Sequence, residues 1–458
     1  MRATSTPALI SLRIIRSDRT AGPGVHTILA RQSSDFMIRL GSLLLGSTAL
    51  YGALIWGPPN GLHITRFLAA YAGLTVLCLG AWRLLERRQS RAAWALVWVG
   101  AVAFRVMFIT RSPELSDDIF RYIWDGRVWL HGINPFRYAP LDPALASLRD
   151  ELWARINNPG LPTIYPPLLQ GVFALAARIS PTVLCFKTVF AALDLGAGLC
   201  LFSALRRAGS APLTVLYLWH PAVVVEFAGQ GHADAAGLCC LALALVFWAR
   251  RRPLGSALAL AGASLVKLLP LAAFPALIRP LRFRWFVPLL AVGAAYLPFV
   301  RHGVDPLGSL GTFAADWKAN AFLFGVWAWL PGFWARGAAA IPAAAAVMVG
   351  WKRGRPWPEV YSWSVGLLLL FSPVVHPWYV LWLLPVALWL KHPAWVVWSF
   401  LAPFSYAVLP RFLSEGVWAE SPWVKAAIYL PVLAVLVWRI RRRTGPNRGR
   451  DPSHPRPA

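Results

Sequence analysis

The chain has 458 residues, of which 57% are hydrophobic and 14% charged, and it carries 25 Trp and 24 Phe. Soluble domains run to about 25% charged residues, so a string of soluble domains is excluded, as are disordered, collagen-like and disulfide-stapled classes. The net charge of +26 would suggest nucleic acid on a soluble chain, but on so apolar a body it indicates a multi-pass membrane protein with basic residues in short loops, whose partner is the lipid bilayer and not nucleic acid.

A spanning helix needs about 20 mainly apolar residues. Residues 1–37 form a basic N-terminal segment with no pattern of a secretory leader. Candidate spans follow at 38–56, 64–82, 92–109, 183–205, 213–228, 233–249, 254–278, 285–300, 338–351, 361–375, 378–390, 394–409 and 424–437, about thirteen in all. Residues 441–458 make a basic tail, expected to be disordered and cytoplasmic.

Positive charge sets orientation. Arg2, Arg13 and Arg16 place the N-terminus inside; Arg87 and Arg88, Arg206 and Arg207, Arg250 to Arg252, Lys352 to Arg355 and the tail mark further inside loops. The outer side then receives the long loop 110–181, the turn at 229–232 and the turn near His376. Two segments resist the count. Residues 165–179 are apolar but short and read as a re-entrant or surface helix. Residues 254–278 read as one helix or as a hairpin broken near Lys267 and Pro270.

The loop 110–181 stands apart from the rest of the chain, because its seven arginines are matched by seven Asp and Glu. Ser116 is a candidate helix N-cap, followed by Asp117 and Asp118 in a first turn that suits the helix dipole. Asp117, Arg121 and Asp125 recur every four residues and share one face, opposite Phe120, Ile123 and Trp124. This predicts an amphipathic helix at the membrane surface with a charged row above it, either a solvated salt-bridged face or a functional one. Adjacent carboxylates repel unless something uses them: the pair could serve as general base or hold a divalent metal.

Ionisable residues at membrane depth are functional candidates by default. Glu226, His232 and Asp234 surround the turn at 229–231, His376 lies at another outer turn, and Lys267 sits in the ambiguous segment. Asp194 and Arg105 read as structural, Arg105 by snorkelling. The five cysteines lie in apolar stretches without metal or redox spacing and read as small buried hydrophobes.

The run SDDIFRYIWDGRVWLHGINPFRY (116–138) resembles the first outer loop of the GT-C glycosyltransferase superfamily, and most closely that of the polyprenol-phosphate-mannose-dependent mannosyltransferases of glycosyltransferase family 87. The likeness continues in TIYPPL (163–168), WHPAVVVEFAGQGHADA (219–235), VKLLPL (266–271) and SPVVHPWYVLWLLP (372–385). It covers about residues 92–440 and leaves 38–91 as two additional N-terminal helices. The resemblance implies an all-α GT-C-like bundle of about 11–14 transmembrane helices with a structured first outer loop carrying short amphipathic helices. It implies transfer of a hexose, mannose by preference, from a polyprenyl-phosphate donor to a glycan or lipid acceptor. The reaction would occur on the outer face of a bacterial plasma membrane and would invert the anomeric centre. The catalytic carboxylate is Asp117 or Asp118 by motif. Arg121, Asp125, Tyr165, His232, Asp234, Lys267 and His376 are the candidate substrate contacts, with Arg121, His232, Lys267 and His376 as partners for the phosphate. No cofactor is required, and a divalent metal at Asp117 and Asp118 is left open. A transporter or flippase of lipid-linked saccharides would share the many spans, but no internal repeat is visible. A lipid-linked glycan polymerase or ligase would be expected to carry a large outer loop late in the chain, and none is seen.

Overall fold

A computed structural model of the protein describes residues 23–55, 64–277, 286–300 and 304–444. The expectations for residues 1–22 and 445–458 lie outside the described residues. Those that are described form an all-α, polytopic membrane protein; among them there is no strand, only one parallel bridge between Ala319 and Val374.

The longest apolar runs become α1 (Pro23–Ile55), α2 (Ile64–Arg87), α3 (Arg91–Ile109) and, further on, α6 (Val183–Arg207). Caps fix their starts: Ser90 accepts from the N–H of Ala93 and Thr182 from that of Cys185, each satisfying an orphan donor of a first turn. The 19 residues of α3 span about 29 Å at 1.5 Å per residue, close to the thickness of a bilayer core.

About thirteen spans are expected from the sequence; seven helices among the described residues are long and apolar enough to cross alone, or eight if a bent pair is counted. Proline and short length account for the difference. Residues 254–278 are neither one helix nor two full spans: the helix Pro253–Ser264 ends before Lys267, and a short 3-10 turn with Pro270 follows. Residues 285–300 supply only the ten-residue helix Val287–Tyr296. Between α3 and α6 lie two 13-residue helices, α4 (Asp118–Leu130) and α5 (Pro167–Ile179). Each is about 20 Å long, too short to cross.

The bent pair, Ala211–Leu218 and Pro221–Gly229, meets at 47° and is the feature that places the site. In a continuous helix the Leu218 carbonyl would accept from the N–H of Ala222. That N–H instead donates to His220 Nδ1. The freed Leu218 carbonyl accepts from Arg105 Nη1 at 2.9 Å. Arg105 Nε also donates to Asp194 at 2.6 Å, and the Tyr217 hydroxyl donates to the other Asp194 oxygen at 2.8 Å. Arg105 is therefore no snorkelling surface residue: it is 1% exposed and pairs with Asp194 at 0%.

Removing one partner of a buried ion pair leaves an uncompensated charge, at a cost of about 3–5 kcal/mol. Arg105→Met is expected to lower the melting temperature of the detergent-solubilised protein by that equivalent, and Arg105→Met with Asp194→Leu to regain much of it. A single variant melting like the wild type would refute this role.

Candidate active site

Two side chains hold the segment between α3 and α4: Lys187 of α6 donates to the carbonyls of Phe108 and Arg111, and Gln230 binds further along. Gln230, in the turn after the bent pair, accepts through Oε1 from the N–H groups of Glu114 and Leu115 at 2.9 and 2.8 Å. The chain then enters α4. Asp117, not Ser116, takes the N-cap position, and its side chain makes no cap bond; Ser116 Oγ accepts from the Asp118 N–H at 3.3 Å. The Asp117 carboxylate is thereby left free of its own helix.

The charged row of α4 is not the solvated face that its spacing suggests. Arg121 and Asp125 are buried, 5% and 1% exposed. Arg121 Nε donates to Asp125 at 2.8 Å and Nη1 to the Leu161 carbonyl at 2.9 Å. The other Asp125 oxygen accepts from Thr163 Oγ1 at 2.5 Å and from Gln170 of α5 at 3.3 Å. The row is a lock joining α4, the 161–165 segment and α5. Gly126 lets the two helices pack backbone to backbone, since a Cβ there would collide with the Phe173 carbonyl.

The acidic pair is brought together from 40 residues away. Asn157 Nδ2 donates to Asp117 Oδ1 at 2.6 Å and to Asp118 Oδ1 at 2.9 Å, so one amide spans both carboxylates. The second oxygen of Asp118 accepts from the Tyr122 hydroxyl at 3.5 Å and lies 3.7 Å from His232 Nδ1. Partial burial, followed by the like charge of Asp118, pushes the Asp117 carboxyl above its ordinary range, against the Asn157 hydrogen bond.

Asp117, Asp118, Arg121, Tyr165, Asp234, Lys267 and His376 all border one cavity of about 980 Å³, at the upper end for ligand pockets. Asp125 and His232 do not border it. Asp125 belongs to the lock, and His232 lies fully buried behind Asp118. Lys267 projects from the break after Pro253–Ser264, donates to Asp234 Oδ1 at 2.8 Å and lies 3.6 Å over the Tyr379 ring. Asp234 also accepts from the Trp382 indole at 2.5 Å. His376 stacks on Trp378, and burial pushes its imidazole down to about 4, so it is a neutral hydrogen-bonding group near pH 7. Among the described residues no three His, Cys, Asp or Glu side chains converge as a metal shell.

Sequence reasoning did not find Asn157. Its setting, Asn157-Asn158-Pro159-Gly160, with Asn158 at a left-handed φ of 47°, signals a turn. Nothing in that signal says where the first side chain reaches. Glu420, bound to Lys425 and the Trp418 indole on the cavity wall, was missed as well.

An apolar helical bundle around a large cavity, with paired carboxylates at its edge, defines an integral membrane enzyme. Comparison with known proteins sharpens the class. Residues 34–281 match the N-terminal domain of the alpha-(1→6)-mannopyranosyltransferase family, and the chain belongs to that family. It is similar to a protein of Mycolicibacterium smegmatis described as a "probable alpha-(1→6)-mannopyranosyltransferase", 25% identical over 412 residues, covering 72% of this chain and 71% of the relative. The chain is a membrane mannosyltransferase of the GT-C type. The matched region includes α1 and α2, which the motif resemblance does not reach.

Asn157→Ala removes a charged hydrogen bond from both carboxylates, and transfer is expected to fall by roughly tenfold or more. The lost bond favoured ionised Asp117, so the Asp117 pKa rises and the acid limb of activity moves to higher pH. A pH–rate profile of the variant matching the wild type would contradict the bridge.

Proposed function

We propose that this mannosyltransferase takes mannose from a polyprenyl-phosphate donor and transfers it to a glycan or glycolipid acceptor on the outer side of a bacterial plasma membrane. The bond formed is α-(1→6), by the description of the family. The observation that carries this reading is the Asp117–Asp118 pair at a cavity that also holds Lys267 and apolar wall residues such as Leu268, Leu310, Phe313 and Leu369. Such a space takes a charged head group and the start of an isoprenoid chain together.

The acceptor hydroxyl attacks the anomeric carbon while the acidic pair takes its proton. The bond to the phosphate oxygen breaks, and its electron pair leaves with the lipid phosphate. Lys267 stabilises the developing charge, with Arg155 and Arg336 also on the cavity wall. Arg121 is committed to Asp125, and His376 is neutral. This step draws on no metal. A double displacement would need one carboxylate as nucleophile and another as base, whereas a single displacement uses one member of the acidic pair, as base alone. A single displacement with inversion is the simpler fit.

The helix ends support the outer side. Arg207, at the end of α6, donates to the carbonyl of Ala249 at 3.0 Å, joining the basic ends of two helices whose other ends begin at Val183 and Asp234. The acidic pair lies with those other ends, which by the positive-inside rule favours a cavity on the outer side. On this reading the catalytic unit is 92–440, with its outer loop at 110–181; two N-terminal helices at 38–91 separate it from the basic segment 1–37, and the basic tail 441–458 follows it.

Protein in lipid nanodiscs, given labelled polyprenyl-phosphate mannose and a short α-(1→6)-mannooligosaccharide, is expected to transfer mannose. Asp117→Ala and Asp118→Ala should each lower kcat by about 100-fold or more. Full transfer by the double variant would remove the assigned base, and transfer from a nucleotide sugar alone would remove the assigned donor. In intact cells, a cysteine at Ser112 should react with a membrane-impermeant maleimide and one at Gln89 should not; the reverse pattern would overturn the side.

A further inference from the structure

Behind Asp118 lies a buried chain of groups that the transfer step above does not use. His232 and Glu226 are both 0% exposed. His232 Nε2 lies 3.3 Å from Glu226 Oε2, and Nδ1 lies 3.7 Å from Asp118 Oδ2. The Tyr406 hydroxyl donates to both Glu226 oxygens at 2.8 and 3.1 Å, which fixes the carboxylate from the far side. Trp378 stacks on the imidazole, centroids 3.9 Å apart. Both ring nitrogens are buried and neither makes a hydrogen bond in this resting geometry, so these two carboxylates are approached but not yet bonded. A buried carboxylate beside a buried imidazole is costly unless the two share a proton.

We propose that His232, oriented by Glu226, is the positioning residue through which Asp118 acts as base, receiving at Nδ1 the proton that Asp118 takes from the acceptor hydroxyl. The hydroxyl oxygen bonds to the anomeric carbon as the carbon–phosphate oxygen bond breaks. The released proton passes to Asp118 Oδ2 and on to His232 Nδ1, while Nε2–H faces Glu226. Asp118 is thus restored to its ionised form, and the imidazolium rests between two carboxylates. The proton returns through Asp118 to the cavity after the product leaves. By reference values imidazole is the stronger base by roughly 2.6 pH units, so the relay makes Asp118 a better proton acceptor than a carboxylate alone. The inference rests on the reading of Asp118 as base.

The charged and titratable groups facing His232 come from every neighbouring element. Asp117 and Asp118 come from the start of α4, Glu226 from the bent pair and Asp234 from the following helix. His376 comes from the outer turn, Tyr406 stands behind Glu226, and Lys187 of α6 packs beside Gly231. Carboxylates predominate around the ring.

The test has two arms on the full chain in nanodiscs. With polyprenyl-phosphate mannose and the mannooligosaccharide, His232→Gln and Glu226→Gln should lower kcat by about 10- to 100-fold with donor KM changed less than about twofold. In His232→Gln the acid limb of kcat should move down by about one pH unit or more, because a lone carboxylate remains as base. Lost rate with an unmoved limb means a packing role and overturns the proposal, as does an unchanged rate. The second arm needs no donor. The His232 imidazole resonance, assigned by its absence in His232→Gln, is titrated by NMR. Its pKa should fall in Glu226→Gln and in Asp118→Asn, each of which removes a carboxylate beside it. An unmoved titration overturns the relay even where the donor reading stands. A moved titration with no transfer from the lipid donor overturns the donor reading alone.

Discussion

The buried guanidinium of Arg105 is the contact on which the site depends. It binds Asp194 of α6 and the Leu218 carbonyl freed at the bend. Without that donor the bend would leave a carbonyl unsatisfied in a region with no water to take its place. The bend has a consequence one turn further on. It directs Pro221–Gly229 so that Glu226, Gln230 and His232 reach the entrance to α4. Gln230 then fixes Glu114 and Leu115, directly ahead of Asp117 and Asp118 at the start of α4. A charge buried in the bundle thus sets the position of a carboxylate pair at its edge.

Charge in this chain does two kinds of work, separated in space. The surplus arginines lie at the ends of helices such as α6 and Asp234–Ala249. Around the cavity three cations are cancelled locally: Arg121 by Asp125, Lys267 by Asp234 and Lys425 by Glu420. Local cancellation keeps each cation oriented without demanding full hydration at the membrane surface. Lys267 differs from Arg121 in that about a quarter of its side chain stays exposed, so it is reachable from the cavity while bound to Asp234. Arg121 has no such freedom, and its contribution is to hold the loop.

The long spans and the acidic loop were legible because each is a local signal. Apolar runs located α1, α2, α3 and α6, and the Asp-Asp pair stood at the end of a span within a charge-balanced loop. What failed was inference from period alone. The four-residue spacing of Asp117, Arg121 and Asp125 gave the helix correctly but not its surroundings, because Leu161, Thr163 and Gln170 cover that face from distant parts of the chain. Lys267 and Pro270 marked the break in 254–278, yet an apolar segment of that length reads equally well as one span until a neighbouring carboxylate such as Asp234 is placed. Asn157 carried no signal, because its role is a long-range hydrogen bond from an ordinary turn.

Trp378 joins the two halves of the site. One face of its indole carries His376, at 4.5 Å between centroids and 6° between planes, and the ring also stacks with His232 at 3.9 Å. Trp378 and His376 border the cavity and His232 does not, so the indole partitions the ligand space from the buried Glu226–His232 pair. On the cavity side it is covered by His376, and the indole itself is only 8% exposed. On the buried side it excludes water from an imidazole whose neighbours are carboxylates, where low dielectric makes their interaction stronger than in solvent. A smaller side chain at 378 would open the buried pair to the cavity, so an aromatic there keeps the two apart through one physical property, the exclusion of water.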